Sequence, residues 1–317
     1  MTLVVEAHGI AKRFGQLLAV EDLTVAVHAG DVLGILGPNG AGKTTAVRVL
    51  TTMLKPSRGT FSVAGIPHSR PEEIRRRIGV LPESAGYPGV QTGEQYLQYH
   101  ARLYGRSRAH ARASARSLLE EVGLLDRSHS PIATYSRGMR QRLGIARALV
   151  NEPAVVFLDE PTLGLDPAGQ KQVLGNVRAI ARERGAAVLL STHLLHEVEQ
   201  NCSHVLILNR GRNVAVGTVS DVISRAAAPR RARLQVSPED ADRAATALAS
   251  VREVELVEHA EGQPGSLTVS FGARNGEEAS SPNDAVRALV DAGIALLSFE
   301  LDGARLGDAF LEMTEAT

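Results

Sequence analysis

The sequence predicts an α/β fold in which an antiparallel β-layer over residues 3–36 packs beside a parallel sheet, followed by a smaller α+β domain. Short apolar runs at residues 31–36, 154–158 and 187–192 alternate with helical stretches, as expected for buried parallel strands. A glycine-rich loop, residues 37–45, stands between one such strand and a helix. Residues 218–317 hold 9 basic and 17 acidic side chains, a balance of −8, whereas the rest of the chain is +8. This change of charge indicates a compositionally distinct second domain.

The glycine-rich loop has the form G-x-x-x-x-G-K-[ST], which predicts a phosphate cradle of the P-loop NTPase type. This loop, called the phosphate loop below, reads Gly37-Pro38-Asn39-Gly40-Ala41-Gly42-Lys43-Thr44-Thr45. Glycines let successive backbone N–H groups turn toward phosphate oxygens, and the helix N-terminus adds a positive dipole end. We expect Lys43 to bring a charge to the β- and γ-phosphates and the Thr44 hydroxyl to bind Mg²⁺.

Acidic side chains and a histidine follow three of the predicted strands. Asp159 and Glu160 end one apolar run and His193 follows another. Glu83 stands at the end of a further predicted strand, residues 78–83. In open α/β sheets the carboxyl ends of the strands line the crevice where ligands bind. Two adjacent buried acids are costly unless they serve a cation or a reaction. We therefore expect Asp159 to hold Mg²⁺, Glu160 to orient or deprotonate water, and His193 to contact the γ-phosphate.

Two further features leave alternatives open. Ser136 and Gly138 precede a helix that runs to about Val150, where they could form a second phosphate-binding helix end. An ordinary capped helix explains the same residues. Phe14 is one of 6 phenylalanines in a chain without tryptophan, and it could stack on a base or pack in the core.

The remainder of the chain predicts a β-α-β-β-α-β order over residues 230–301, typical of a ferredoxin-like sandwich, and a final amphipathic helix over 306–313. This region has no catalytic constellation, which favours an accessory or regulatory domain. We therefore divide the chain into a nucleotide-binding domain (1–217, with a helical subdomain at about 84–150), a linker (218–229) and an accessory domain (230–317).

Composition excludes several classes of protein. The chain has 35 Lys+Arg and 35 Asp+Glu, and its arginine-rich helical stretch has almost no aromatic residues between the charges. We therefore expect no nucleic-acid partner. No apolar run approaches the ~20 residues needed to cross a bilayer, and the N-terminus does not have the pattern of a signal peptide. If the protein acts at a membrane, another chain must supply the membrane part.

The order of the motifs resembles the ATP-binding subunit of an ABC transporter over about residues 2–217. The motifs are the phosphate loop, Tyr135–Met139 before a helix, Asp159-Glu160 after an apolar strand, Gly164-Leu165-Asp166 and Ser191-Thr192-His193. Residues 306–314 resemble the C-terminal extension of the drug- and antibiotic-export (ABC-2 type) subfamily.

The resemblance implies a role for each matching residue, with ATP and Mg²⁺ as cofactors. Glu160, His193 and Lys43 would be catalytic, and Thr44, Glu83 and Asp159 would hold the metal. Phe14 matches the aromatic A-loop position, Ser136 and Gly138 the signature, and Asp166 the D-loop; these residues and the phosphate loop would bind ATP.

The resemblance also implies the assembly. Two copies would bind head to tail, with ATP between the phosphate loop of one and the signature of the other. The dimer would be peripheral, at the cytoplasmic face of the cell membrane. Its ATP hydrolysis would drive export of a drug, antibiotic or other small or hydrophobic substrate through a separate permease.

Three residues depart from the family pattern, and two other classes of ABC protein are alternatives. Arg137 and Met139 replace a Gly and the Gln of the usual signature, and Glu83 stands where Gln is usual, so the rate of turnover is open. An importer subunit is one alternative. A non-transport ABC ATPase is less favoured, because the chain has neither a long coiled-coil insertion nor a second cassette.

Overall fold

In the computed structural model the chain divides into two compact units, Met1–Val219 and Ser220–Thr317. The structure describes residues 2–225, 230–252, 254–260, 263–271, 282–302 and 306–315. The predicted linker contains a helix, which we call α8, over Val219–Arg225. Residues 226–229 of that linker lie outside the described residues.

The first unit is built on a parallel sheet, as predicted. Its parallel strands are β3 (Val32–Leu36), β6 (Ile78–Leu81), β7 (Val155–Asp159), β8 (Ala187–Thr192) and β9 (His204–Asn209). They lie side by side in the order β9-β3-β8-β7-β6. Every residue of β3, β7 and β8 is buried, because both faces of the sheet are covered. Continuous apolar runs therefore predicted these three strands correctly.

An antiparallel layer extends this sheet, which confirms the layer expected from the sequence. It consists of β1 (Leu3–Phe14), β2 (Leu17–His28), β4 (Arg58–Val63), β5 (Ile66–Pro67) and β10 (Arg212–Thr218). Strand β10 pairs antiparallel with β9 and meets β2 through one parallel bridge between Arg212 and Asp22. The described strands of this unit form one ten-stranded sheet.

Helices connect the strands. They are α1 (Lys43–Leu50), α2 (Pro71–Arg75), α3 (Gly93–Leu103), α4 (Arg108–Glu121), α5 (Arg137–Leu149), α6 (Pro167–Arg184) and α7 (Leu195–Asn201). Helices α3, α4 and α5 lie between β6 and β7 in the chain and bury Leu97, Leu119 and Leu143 in one apolar cluster. The arginine-rich helical stretch forms two helices, α3 and α4, because the chain turns at Gly105, whose φ is +79°.

The second unit has the predicted β-α-β-β-α-β order. Its elements are β11 (Arg230–Val236), α9 (Ala241–Ala249), β12 (Val254–His259), β13 (Ser266–Phe271), α10 (Pro282–Asp291), β14 (Leu296–Asp302) and α11 (Leu306–Glu315). The strands pair antiparallel in the order β12-β13-β11-β14. Leu234 and Leu267 of the sheet share an apolar core with Leu248 of α9 and Leu289 of α10.

Among the described helices, none is both long enough and apolar enough to cross a membrane.

Candidate functional site

A cavity of about 850 Å³ opens where β3, β7 and β8 end. Residues 39–45 of the phosphate loop and Leu17 of β2 line it, together with three side chains that follow parallel strands: Glu83, Glu160 and His193. The tertiary structure thus brings together groups that lie up to 193 residues apart in the sequence, from Leu17 to Arg210, which also lines the cavity.

The phosphate loop owes its path to close contacts that glycine alone permits. Gly42 has φ +101°, and a Cβ there would lie 2.4 Å from the carbonyl oxygen of Ala19 in β2. A Cβ on Gly37 would lie 2.4 Å from the carbonyl oxygen of Leu208 in β9. Gly42 is the N-cap of α1 and supplies no capping side chain. The first N–H groups of α1 therefore remain available to an anion in the cavity.

Lys43, Glu160 and His193 form a line of polar contacts along the cavity. Lys43 is buried, and its ammonium donates to the carbonyl oxygen of Gly37 at 2.8 Å and lies 3.6 Å from Oε1 of Glu160. The other oxygen of Glu160, Oε2, lies 3.0 Å from Nδ1 of His193. One carboxylate therefore bridges a cation and an imidazole. Such a group can accept a proton from water while the cation binds phosphate oxygens.

The backbone of Glu160 is strained. Its φ is +48°, a left-handed conformation that costs a non-glycine residue about 1–2 kcal/mol. The Glu160 N–H donates to Oγ of Ser191 at 3.0 Å and to the Ser191 carbonyl oxygen at 3.2 Å. Strain at a carboxylate that lines a cavity is typical of a functional residue held in place by its surroundings.

Asp159 points its Oδ1 at two hydroxyl groups. It accepts from Oγ1 of Thr44 at 3.2 Å and from Oγ of Ser191 at 2.5 Å. Ser191 is fully buried and so fixes Asp159 and the Glu160 backbone together. The sequence analysis gave Ser191 no role of its own, although a serine at the end of the apolar run Ala187–Leu190 was an available signal.

The oxygen donors at this point fit Mg²⁺. Thr44 and Asp159 are in contact, and Glu83 lines the same cavity as Thr44. Within the described part of the chain, no three His, Cys, Asp or Glu side chains converge as a complete metal cage. Mg²⁺ characteristically takes one or two protein oxygens and completes its shell with water and substrate phosphates. The arrangement therefore suits a cation that arrives with a phosphate ligand.

Phe14, for which the residues left base stacking and core packing open and the resemblance implied ATP binding, does not line this cavity. Its ring is 44% exposed and has the Lys12 ammonium 5.0 Å from its centre. Leu17, opposite Phe14 in the turn between β1 and β2, lines the cavity instead and is 66% exposed.

The remaining predicted nucleotide-binding residues also lie away from the cavity lining. Ser136 is the N-cap of α5, and its hydroxyl accepts from the Met139 N–H at 3.2 Å. Asp166 caps α6 in the same way, accepting from Gly169 N–H at 3.1 Å. Gly138 lies beside the same turn as Asp166, since a Cβ there would be 3.9 Å from Leu165.

Arg137 links these two helix ends. A Cβ on Gly164, whose φ is +68°, would lie 2.6 Å from a guanidinium nitrogen of Arg137. The exposed Arg137 side chain therefore lies on the glycine of the turn that leads to Asp166. The replacement of the usual signature glycine thus adds a contact between α5 and this turn.

Comparison with known proteins agrees with this geometry. A family model described as "ABC transporter" matches residues 20–163. The daunorubicin/doxorubicin resistance ATP-binding protein DrrA of Streptomyces peucetius is 36% identical over 317 residues, covering 99% of this chain and 93% of that protein. The daunorubicin resistance ATP-binding protein DrrA2 of Streptomyces coeruleorubidus is 40% identical over 215 residues, covering 68% of this chain and 66% of that protein.

A solved structure described as the ATP-binding subunit of an ABC transporter has the same fold over most of its length. It is 33% identical, with a TM-score of 0.63, and the match covers 70% of this chain and 92% of that chain. The alignment with DrrA of Streptomyces peucetius takes in nearly the whole chain, so that similarity extends through both units.

Proposed function

The chain belongs to the family of ABC transporter ATP-binding proteins and is an ATP hydrolase, and on this premise we propose that two copies bind ATP between them and drive export through a separate membrane protein. The observation that carries the catalytic part is the Lys43–Glu160–His193 line of contacts in the cavity. The export part draws on the relatives.

In the proposed reaction, Lys43 leaves the loop carbonyls and binds the β- and γ-phosphates, which frees Glu160. Glu160 accepts a proton from the attacking water; the oxygen of that water bonds to the γ-phosphorus, and the bond to the β–γ bridging oxygen breaks, releasing ADP. His193, at 3.0 Å from Glu160, keeps that carboxylate oriented. Mg²⁺, when bound by Thr44 and Asp159, supplies positive charge to the phosphate oxygens.

The position of Ser136, Gly138 and Asp166 supports a shared site. All three lie outside the cavity lining, and Ser136 is exposed. In a head-to-tail dimer, the α5 end of one copy would cover the phosphate loop of the other. Each of the two ATP sites would then need residues from both chains.

Mixing two inactive variants tests the shared site. A mixed dimer contains one Lys43→Ala copy and one Ser136→Ala copy. Both changes then fall in the same ATP site, because that site takes its phosphate loop from one copy and Ser136 from the other. The second ATP site keeps both wild-type residues. An equal mixture, half of it mixed dimers, should recover about a quarter of wild-type turnover. A site completed within one chain predicts that the mixture is no more active than the average of its two components.

The relatives support export of a drug-like molecule. DrrA of Streptomyces peucetius is named for resistance to daunorubicin and doxorubicin, and its alignment covers the second unit as well as the first. We propose a drug, antibiotic or other small or hydrophobic molecule as cargo, with the protein peripheral at the cytoplasmic face of the cell membrane. Arg137, Met139 and Glu83 would modulate the rate of turnover.

Inverted membrane vesicles provide the transport test. The chain is co-expressed with any multi-spanning membrane protein that its neighbouring genes encode, and ATP-dependent uptake of daunorubicin is recorded by its fluorescence. We expect uptake with wild-type protein and none with Glu160→Gln. A chain that does not copurify with that membrane protein, or whose turnover the membrane protein leaves unchanged, would contradict the export proposal.

A further inference from the structure

We propose that Glu197, a buried carboxylate of α7, is a positioning residue that holds His193 against Glu160 through the hydroxyl of Thr192. This inference rests on the proposed role of His193 in ATP hydrolysis. Neither the motifs nor the resemblance assigned a function to Glu197.

Glu197 lies in an unusual environment for a carboxylate. Its side chain is 0% exposed. Oε2 accepts a hydrogen bond from Oγ1 of Thr192 at 2.8 Å, whereas Oε1 has no hydrogen-bond partner among the described residues. An interior carboxylate with one side-chain hydrogen bond is unfavourable for folding. Its presence therefore indicates a purpose served by the bond to Thr192.

Thr192 connects the Glu197 carboxylate to the backbone on either side of His193. The Thr192 hydroxyl is also fully buried, and while it donates to Glu197 it accepts from the Leu194 N–H at 3.1 Å. Residues 192 and 194 flank His193, so one hydroxyl holds the backbone on both sides of the histidine. The His193 side chain is itself 39% exposed and reaches Glu160 at 3.0 Å. Its position therefore depends on its backbone more than on packing.

Contacts that do not involve the Glu197 carboxylate hold α7 in place. The helix is seated on β3 by Val198 and Cys202, since a Cβ on Gly34 would lie 2.9 Å from Val198 and 3.1 Å from the Cys202 sulfur. The side chain of Asn201 donates to the backbone carbonyl of Glu197 and accepts from Arg178. None of these contacts uses the Glu197 carboxylate, so α7 should stay in place without it.

The test compares Glu197→Leu and Thr192→Val, which remove the bond, with Glu197→Gln and Thr192→Ser, which retain an acceptor and a hydroxyl. We expect the first pair to lower kcat by about 10- to 100-fold, because small displacements of a catalytic group have effects of this size. KM for ATP and the equilibrium affinity for ATP should change by less than about twofold, since neither residue lines the cavity. Glu197→Gln and Thr192→Ser should restore most of kcat. Glu199→Leu, on the same helix, is the matched control and should leave kcat unchanged.

A double-mutant cycle identifies the route of the effect. In a His193→Ala background, Glu197→Leu should cause no further loss of kcat, because the residue it positions is absent. An equal loss in both backgrounds, or wild-type kcat in Glu197→Leu, overturns the inference. If His193→Ala alone keeps wild-type kcat, the proposed role of His193 is wrong. Should Glu197→Leu fail to fold, Thr192→Val decides the question in the same cycle.

Discussion

Two helix ends in the first unit differ in how much of a binding site one chain supplies by itself. The phosphate-loop corner comprises residues 37–45 with Asp159, Glu160, Ser191 and His193. The signature corner comprises residues 135–139 and the turn 161–166. At the first, α1 begins at Gly42 with no capping side chain, so its first N–H groups are available to a ligand. At the second, Ser136 already accepts from one N–H of α5.

This difference indicates what each corner can do alone. At the phosphate-loop corner, contacts within one chain fix a buried lysine, a glutamate with a strained backbone and two hydroxyl groups that donate to Asp159. The signature corner is exposed and satisfies part of its own hydrogen bonding. One chain should therefore bind ATP at the first corner, whereas the second should contribute to turnover from another copy.

The largest effect is expected from Glu160→Gln, which removes the proposed proton acceptor and keeps the shape of its side chain. We expect ATP turnover to fall by about 10²- to 10⁴-fold with ATP binding retained, because general-base catalysis contributes that much. Phosphate release and equilibrium nucleotide binding measure the two effects separately. Glu94→Gln, in α3, is the matched control, and near-normal turnover in Glu160→Gln would remove Glu160 as the base.

Lys43→Ala and Ser136→Ala compare the two corners directly. Loss of a charged hydrogen-bond donor costs about 1.5–3 kcal/mol, so Lys43→Ala should weaken ATP binding by roughly 10- to 100-fold. Ser136→Ala should leave ATP affinity unchanged in a dilute, monomeric chain. Titration with a fluorescent ATP analogue measures both, with the exposed Lys171→Ala as control. Equal weakening by the two variants would abolish the distinction between the corners.

The strain at Glu160 predicts a smaller effect on stability. Glycine tolerates φ +48° and alanine does not, so Glu160→Gly should be more stable than Glu160→Ala by about 1 kcal/mol. Chemical unfolding of the two inactive variants without nucleotide measures the difference. If Glu160→Ala is the more stable of the two, the phosphate-loop corner stores no strain at this residue.

The helical region that carries the signature corner should lose stability at acidic pH. Burial and the nearby charge of Arg147 lower the pKa of His100 from 6.5 to about 4. As pH falls from 6.5 towards 4, the unfolded state binds a proton that the folded state does not, so the free energy of unfolding decreases. Hydrogen exchange should show α3 loosening before α1 over this range, and His100→Gln should remove part of that dependence. A uniform loss of protection in both helices would mean that the two corners do not differ in this way.

Sequence reasoning performed well where a motif and its mechanism are local. The apolar run before Asp159, the loop 37–45 and the elements of the second unit lie close to where they were expected. It performed less well for contacts between distant residues. The side chain of Ser191 reaches Asp159 and Glu160, and Leu17 rather than Phe14 lines the cavity. None of these follows from spacing along the chain.

The phosphate loop, the apolar strands and the acidic strand end are predictable from the sequence alone, because glycine conformation, apolar runs and charge act within a few residues. Which strand ends meet depends on how the strands are ordered in the folded sheet. Strand β8 lies between β3 and β7, although it follows both in the chain. That order places Ser191 beside Asp159 and His193 beside Glu160. Strand order depends on how the whole chain packs, so no local pattern encodes it.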